Sequence, residues 1–115
     1  MARLRSDIFV SAVIRQAQVE GAFAVVARRG SEEAGAVFVK VAALDGTAAL
    51  YGPAPQSVFE ADDTGARRFS VLVPPGRPEA ESDQRLAKEI RFDPDLYVVE
   101  IEDRQGRCFL DLVEP

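Results

Sequence analysis

Four carboxylates near the C-terminus, Asp95, Glu100, Glu102 and Asp111, are the residues whose type and spacing come closest to a chemical task. Residues two apart on a strand share a face. In Leu96-Tyr-Val-Val-Glu-Ile-Glu102 this sets Glu100 and Glu102 on one side and Tyr97, Val99 and Ile101 on the other. If Arg107-Cys-Phe-Leu-Asp-Leu-Val113 returns as the second strand of a hairpin, two registers are open. A four-residue loop sets Glu102 opposite Arg107, and a two-residue loop at Gln105-Gly106 sets Glu100 opposite Asp111. Both place Asp111 on the face of Glu100 and Glu102, and Leu110 and Leu112 on the apolar face. Three acids on one face, with Asp95 nearby, suit Mg²⁺ or Mn²⁺, which take oxygen ligands and retain waters. The matching chemistry is metal-dependent cleavage of a phosphoester.

Pro94-Asp95 followed by Glu100-Ile-Glu102 is similar to the Pro-Asp then Glu-x-Lys pattern of metal-dependent nucleases. It departs from that pattern in having Glu102 where lysine belongs, and Asp95 is close in sequence for a residue on a different strand. The same alternation describes a solvated hairpin face paired across strands with arginines, and the sequence favours that structural reading. Arg28, Arg29, Arg67 and Arg68, with Lys40, form the basic counterpart: candidates to bind an anion or to pair with the acidic hairpin. Double-stranded nucleic acid is a poor partner for a chain of net charge −5 that has no recognition helix or aromatic platform. The charge is uneven, +3 over residues 1–29, −2 over 30–78 and −6 over 79–115.

Histidine is absent, which removes the commonest general base near neutral pH, imidazole metal ligands and any Ser-His-Asp or Cys-His pair. A single cysteine, Cys108, forms no internal disulfide and suits a reducing compartment, hence the cytoplasm. With no histidine to activate it, Cys108 reads as an inert buried thiol. No phosphate-cradling glycine loop occurs, so no cofactor is expected beyond Mg²⁺ or Mn²⁺ under the enzymatic alternative. No stretch reaches the roughly 18 apolar residues of a membrane span.

The elements that must position these residues follow from patterning. Ser6-Asp7 reads as a capped helix start, Val10, Val13, Ile14 and Ala17 as its apolar face, and Gly21 as its C-cap, with a strand as the alternative from the β-branched residues of Ile8–Ile14. Strands are expected at 22–29, 36–42, 47–51 and 67–73, with a two-residue turn at Asp45-Gly46. Residues 56–66 read as a loop or an irregular edge. Pro74-Pro-Gly-Arg-Pro78 is expected to end the fourth strand, and a second helix runs from Glu79 to Arg91. Phe9, Phe23, Phe38 and Phe69 read as core. The C-terminal hairpin completes an order α-β-β-β-β-α-β-β. This is one α+β domain over residues 1–115: two layers, a mostly antiparallel sheet of about six strands, both helices on one face.

Three blocks carry a family resemblance: Arg28-Arg-Gly-Ser-Glu-Glu-Ala-Gly-Ala-Val-Phe-Val39, Asp45-Gly-Thr-Ala-Ala-Leu-Tyr-Gly-Pro-Ala-Pro55 and Phe92-Asp-Pro-Asp-Leu-Tyr-Val-Val-Glu-Ile-Glu-Asp-Arg104. With Arg3-Leu4 and the chain length, they make the sequence resemble the alphaproteobacterial domain-of-unknown-function family 1491. The resemblance implies a stand-alone bacterial protein and carries no activity with it. The function expected is therefore a non-catalytic interaction or small-ligand-binding domain, self-associating through a sheet edge or the helix layer, with an unidentified protein or small ligand as partner. The alternative is the metal-dependent phosphoesterase or nuclease-like enzyme.

Overall fold

The computed structural model describes residues 4–55 and 67–113, so the loop or irregular edge expected at 56–66 lies outside the described residues. Helix α1 (Ser6–Val19) buries Val10, Val13 and Ala17, the stripe its spacing predicts. Ser6 does not cap it. Its buried hydroxyl donates to the Gly35 carbonyl at 2.5 Å, and the Glu33 and Glu32 carbonyls accept the Ser6 and Asp7 N–H groups instead. The other end closes as expected. Gly21 takes φ 88°, its N–H reaches the Gln18 carbonyl, and the Ala22 N–H reaches that of Ala17, a Schellman pair satisfying carbonyls that the helix leaves open.

Five strands follow, β1 (Phe23–Arg28), β2 (Val37–Ala42), β3 (Thr47–Pro53), β4 (Phe69–Pro78) and β5 (Tyr97–Glu102), with α2 (Glu79–Phe92) between the last two. They form one sheet in the order β1-β5-β2-β3-β4. Three neighbour pairs are antiparallel, and β2 with β5 is parallel. The class is the α+β, mostly antiparallel arrangement expected from the sequence.

Several details differ, each for a physical reason. Strand β5 inserts between β1 and β2, so both its edges are taken and no sixth strand can pair with it. The expected hairpin therefore does not form. At its turn the Asp103 carboxylate accepts the Arg107 backbone N–H at 2.8 Å, Nε at 2.9 Å and Nη2 at 3.0 Å. The Arg107 hydrogen bond holds the Asp103 carboxyl below the usual carboxylate range. Beyond it the chain turns under the sheet, where Cys108, Phe109 and Leu110 pack against the core, and reaches the far edge at a Phe69–Leu112 bridge.

The helices lie on opposite faces, not on one. Val37, Val39, Val41, Tyr97, Val99 and Ile101 meet α1 and the C-terminal segment. Their strand neighbours Phe38 and Val98 meet Leu86 of α2, with Leu50 and Val73. All six residues of β2 are buried, and a strand without a solvent face needs cover on both sides. Strand β4 runs on through the prolines to Pro78 because it is an edge strand, where a missing N–H breaks no ladder bond. The β2–β3 turn has three residues, 44–46, with Ala43 N–H bonded to the Thr47 carbonyl and Gly46 at φ 89°. Phe23 is not core but 58% exposed, on the other edge.

Candidate interaction site

The four carboxylates do not converge. Asp95 sits in the loop before β5, its carbonyl accepting the Ser31 N–H at 2.8 Å. Asp111 lies at the β4 edge, 3.3 Å from Arg68 Nε. Glu100 and Glu102 share the α2 face of β5, with Tyr97, Val99 and Ile101 on the other face as the alternation predicts. Among the described residues no three acids gather to hold a metal ion. Beside Glu100, in register on β2, stands Lys40. Its ammonium lies 2.6 Å from Glu79 and 2.7 Å from Asp83 of α2. A cation already built into the chain thus balances this acidic face.

Of the four arginines, three are occupied in holding the chain together. Arg28 Nη2 donates to the Pro94 carbonyl at 2.7 Å. Arg67 Nη2 donates to the Leu4 carbonyl and to Ser6 Oγ, with the guanidinium 5.2 Å over the Phe9 ring. Arg68 pairs with Asp111. Arg67 and Arg68 line a cleft of about 350 Å³, but Glu33 and Asp93 share its walls and offset their charge. Arg29 is exposed at the end of β1, in a groove beside α1 with Ile8, Val26 and Glu32.

That leaves the edge of β1. Residues Ala22 and Ala24 point inward, while Phe23, Val25 and Val26 are 58%, 40% and 37% exposed. Among the described residues its one sheet neighbour is β5, so the outer row of backbone N–H and C=O groups faces outward. An edge of this kind templates pairing with another extended segment. The sequence reading missed this site by assigning Phe23 to the core. It also missed the role of Lys40. The signal for that was a lysine inside an otherwise apolar run, Val37-Phe-Val-Lys-Val-Ala42, since a buried cation requires acidic partners.

The family model for "Protein of unknown function (DUF1491)" matches residues 4–111. The chain belongs to the DUF1491 family. A DUF1491 family protein from Caulobacter crescentus, solved by crystallography, is 40% identical at a TM-score of 0.79, covering 96% of this chain and 98% of that one. The solution structure of protein Atu0922 from A. tumefaciens is 44% identical at 0.83, covering 98% and 97%. An NMR structure of a Caulobacter crescentus DUF1491 protein is 41% identical at 0.77, covering 99% and 100%. Both organisms are alphaproteobacteria. No curated protein matches the chain. Neither the DUF1491 description nor these structures' names point to catalysis.

Proposed function

We propose that this DUF1491 protein is a non-catalytic interaction domain that takes up an extended polypeptide segment along β1. The observation that carries this is the outward edge of β1 with three exposed apolar side chains in a six-residue strand. Strand addition draws affinity from main-chain hydrogen bonds and specificity from alternate side chains. Phe23 and Val25 are two apart and share a face, so they provide that alternation. The rest of the chemistry is consistent with binding: Lys40 is ion-paired to Glu79 and Asp83, and no histidine exists to serve as a base. No cofactor enters this reading. The single cysteine supports a cytoplasmic setting, and no helix among the described residues is long and apolar enough to cross a membrane.

A displayed peptide library, selected on the protein and counter-selected on Val25→Lys, tests the reading. Binders should show period-two apolar patterning, and their backbone amide shifts in NMR titration should map to residues 22–29. Binders that map to another surface refute it.

A further inference from the structure

We propose that the segment accepted by β1 is the β1 of a second copy of this chain, paired antiparallel about Val25 in a closed two-fold dimer. This rests on the edge reading above and adds the identity of the occupant.

The charge pattern of the edge is self-complementary in one orientation only. Glu20 precedes the strand and Arg28-Arg29 end it, with Phe23-Ala-Val-Val-Ala27 uncharged between. Antiparallel pairing about Val25 sets the Arg28-Arg29 end, which follows the register shift after Val26, opposite the Gly21-Ala22 end of the other copy, near a Glu20 whose one partner in its own chain is Arg107 at 3.7 Å among the described residues. Parallel pairing would bring like charges together. Within the regular part of the strand the same register sets Ala24 against Val26, a small residue facing a larger one, and Val25 against itself at the axis. A closed dimer uses the same patch twice, so a strand that matches its own reverse suits an isologous contact.

A six-residue strand alone is short of the roughly 800 Å² per partner of a stable interface. Helix α1 supplies more. Ile8, Ala12, Arg15 and Val19 recur at helical spacing and are all exposed. Ile8 and Ser11 line the groove with Val26 and Arg29, which places the Ile8 end of this stripe beside the β1 edge. In a continuous sheet the two-fold axis stands perpendicular to the strands and keeps each copy's α1 on the same face. The two helices then run antiparallel, with Val19 of one copy, 76% exposed, directed toward Ile8 of the other, 49% exposed. Two exposed apolar residues of α1 that the monomer's core does not use gain cover in the dimer.

Sedimentation across a wide concentration range, on proteins checked for folding by thermal unfolding, tests this. The parent should pass from 12.5 kDa to twice that mass. Val25→Lys, which places two ammonium groups at the axis, should remain monomeric. Glu20→Arg and Arg29→Glu should each weaken association by roughly tenfold, since each reversal acts at two symmetry-related pairs. The double variant Glu20→Arg/Arg29→Glu should associate more tightly than either single variant, because the reversed charges still meet across the axis, although Glu20→Arg also removes the acid paired with Arg107 of its own chain. A parent that stays monomeric overturns the proposal, as does a dimer insensitive to Val25→Lys or a double variant no tighter than the single ones. If the parent is monomeric while selected peptides still map to β1, the occupant is wrong and the edge reading stands. If neither occurs, both fall.

Discussion

Replacing Glu79 by Gln and Asp83 by Asn together strands the Lys40 ammonium, and the cost follows from where each charge sits. The lysine side chain is 6% exposed, whereas those of Glu79 and Asp83 are 42% and 58% exposed. Without the lysine, two carboxylates remain that water can reach. Without the carboxylates, a cation remains that water cannot. Leaving one member of a buried pair uncompensated costs about 3–5 kcal/mol, while exchanging the buried charge for an apolar residue of similar length is often nearly neutral. Glu79→Gln/Asp83→Asn should therefore lose about 3 kcal/mol, moderated by the nearby charge of Glu100, and Lys40→Met about 0–2 kcal/mol. Adding Lys40→Met to the amide pair should recover most of the loss. Urea unfolding near neutral pH measures all three. Burial alone lowers the Lys40 pKa, but the hydrogen bonds it donates to Asp83 and Glu79 outweigh it and hold it above the ordinary lysine value. A raised folded pKa contributes stability that is complete below the unfolded value, about 10.4, and lost as pH climbs through the folded one. The stability difference between parent and Lys40→Met should thus be flat through neutral pH and shift against the parent under alkaline conditions. An amide pair no less stable than Lys40→Met would refute the argument, because the lysine would then not depend on those acids.

Two further outcomes test the fold and the dispersal of the C-terminal carboxylates. At Gly30 a Cβ would lie 2.2 Å from the Asp95 carbonyl oxygen and 2.5 Å from the Leu96 carbonyl carbon, whereas at Gly21 nothing lies within 4 Å and only φ 88° is strained. Gly30→Ala should cost about 3 kcal/mol and Gly21→Ala about 1 kcal/mol in thermal unfolding; equal losses would contradict the close approach of the two loops. Because the four candidate ligands are dispersed, Mg²⁺ and Mn²⁺ should leave the melting temperature of both the parent and Glu100→Gln/Glu102→Gln unchanged. A rise of roughly 2.7 kcal/mol at one hundred times the dissociation constant, lost in the variant, would revive the metal reading.

The sequence was most legible where the signal is local. The stripe Val10, Val13, Ala17, the Gly21 cap and the split of β5 into Tyr97-Val99-Ile101 and Glu100-Glu102 faces all depend on residues a few positions apart. What escaped is non-local. Leu96–Glu102 and Arg107–Val113 look like a hairpin to any reading of neighbours, yet β5 pairs with strands some sixty to eighty residues earlier. Nothing in Asp103-Arg-Gln-Gly106 tells whether the following strand has an edge to pair with. Once β5 is known to be central, the rest follows. The C-terminal segment must go elsewhere, and Asp111 must part from Glu100. A clue to central placement was present in β2. Its six buried residues, with the single interruption of Lys40, read as a strand covered on both sides, which is incompatible with two helices on one face.

The two edges of the sheet are treated differently, and the difference bears on which one is used. Strand β4 carries Pro74, Pro75 and Pro78, irregular pairing with β3, and a cover at its start, where Phe69 N–H donates to the Asp111 carbonyl and Val113 N–H to that of Phe69. Prolines, irregularities and covering segments are the devices by which sheets avoid pairing at an edge. Among the described residues, strand β1 has none of them along Phe23–Val26; its one register shift comes after Val26, and its first charge is Arg28. Phe23, Val25 and Val26 exposed on an edge that no described segment covers invite aggregation unless that edge has an occupant. A chain that protects one edge so thoroughly shows that the devices were available to it. Their absence at β1 among the described residues favours β1 over β4 as the edge for the proposed partner strand.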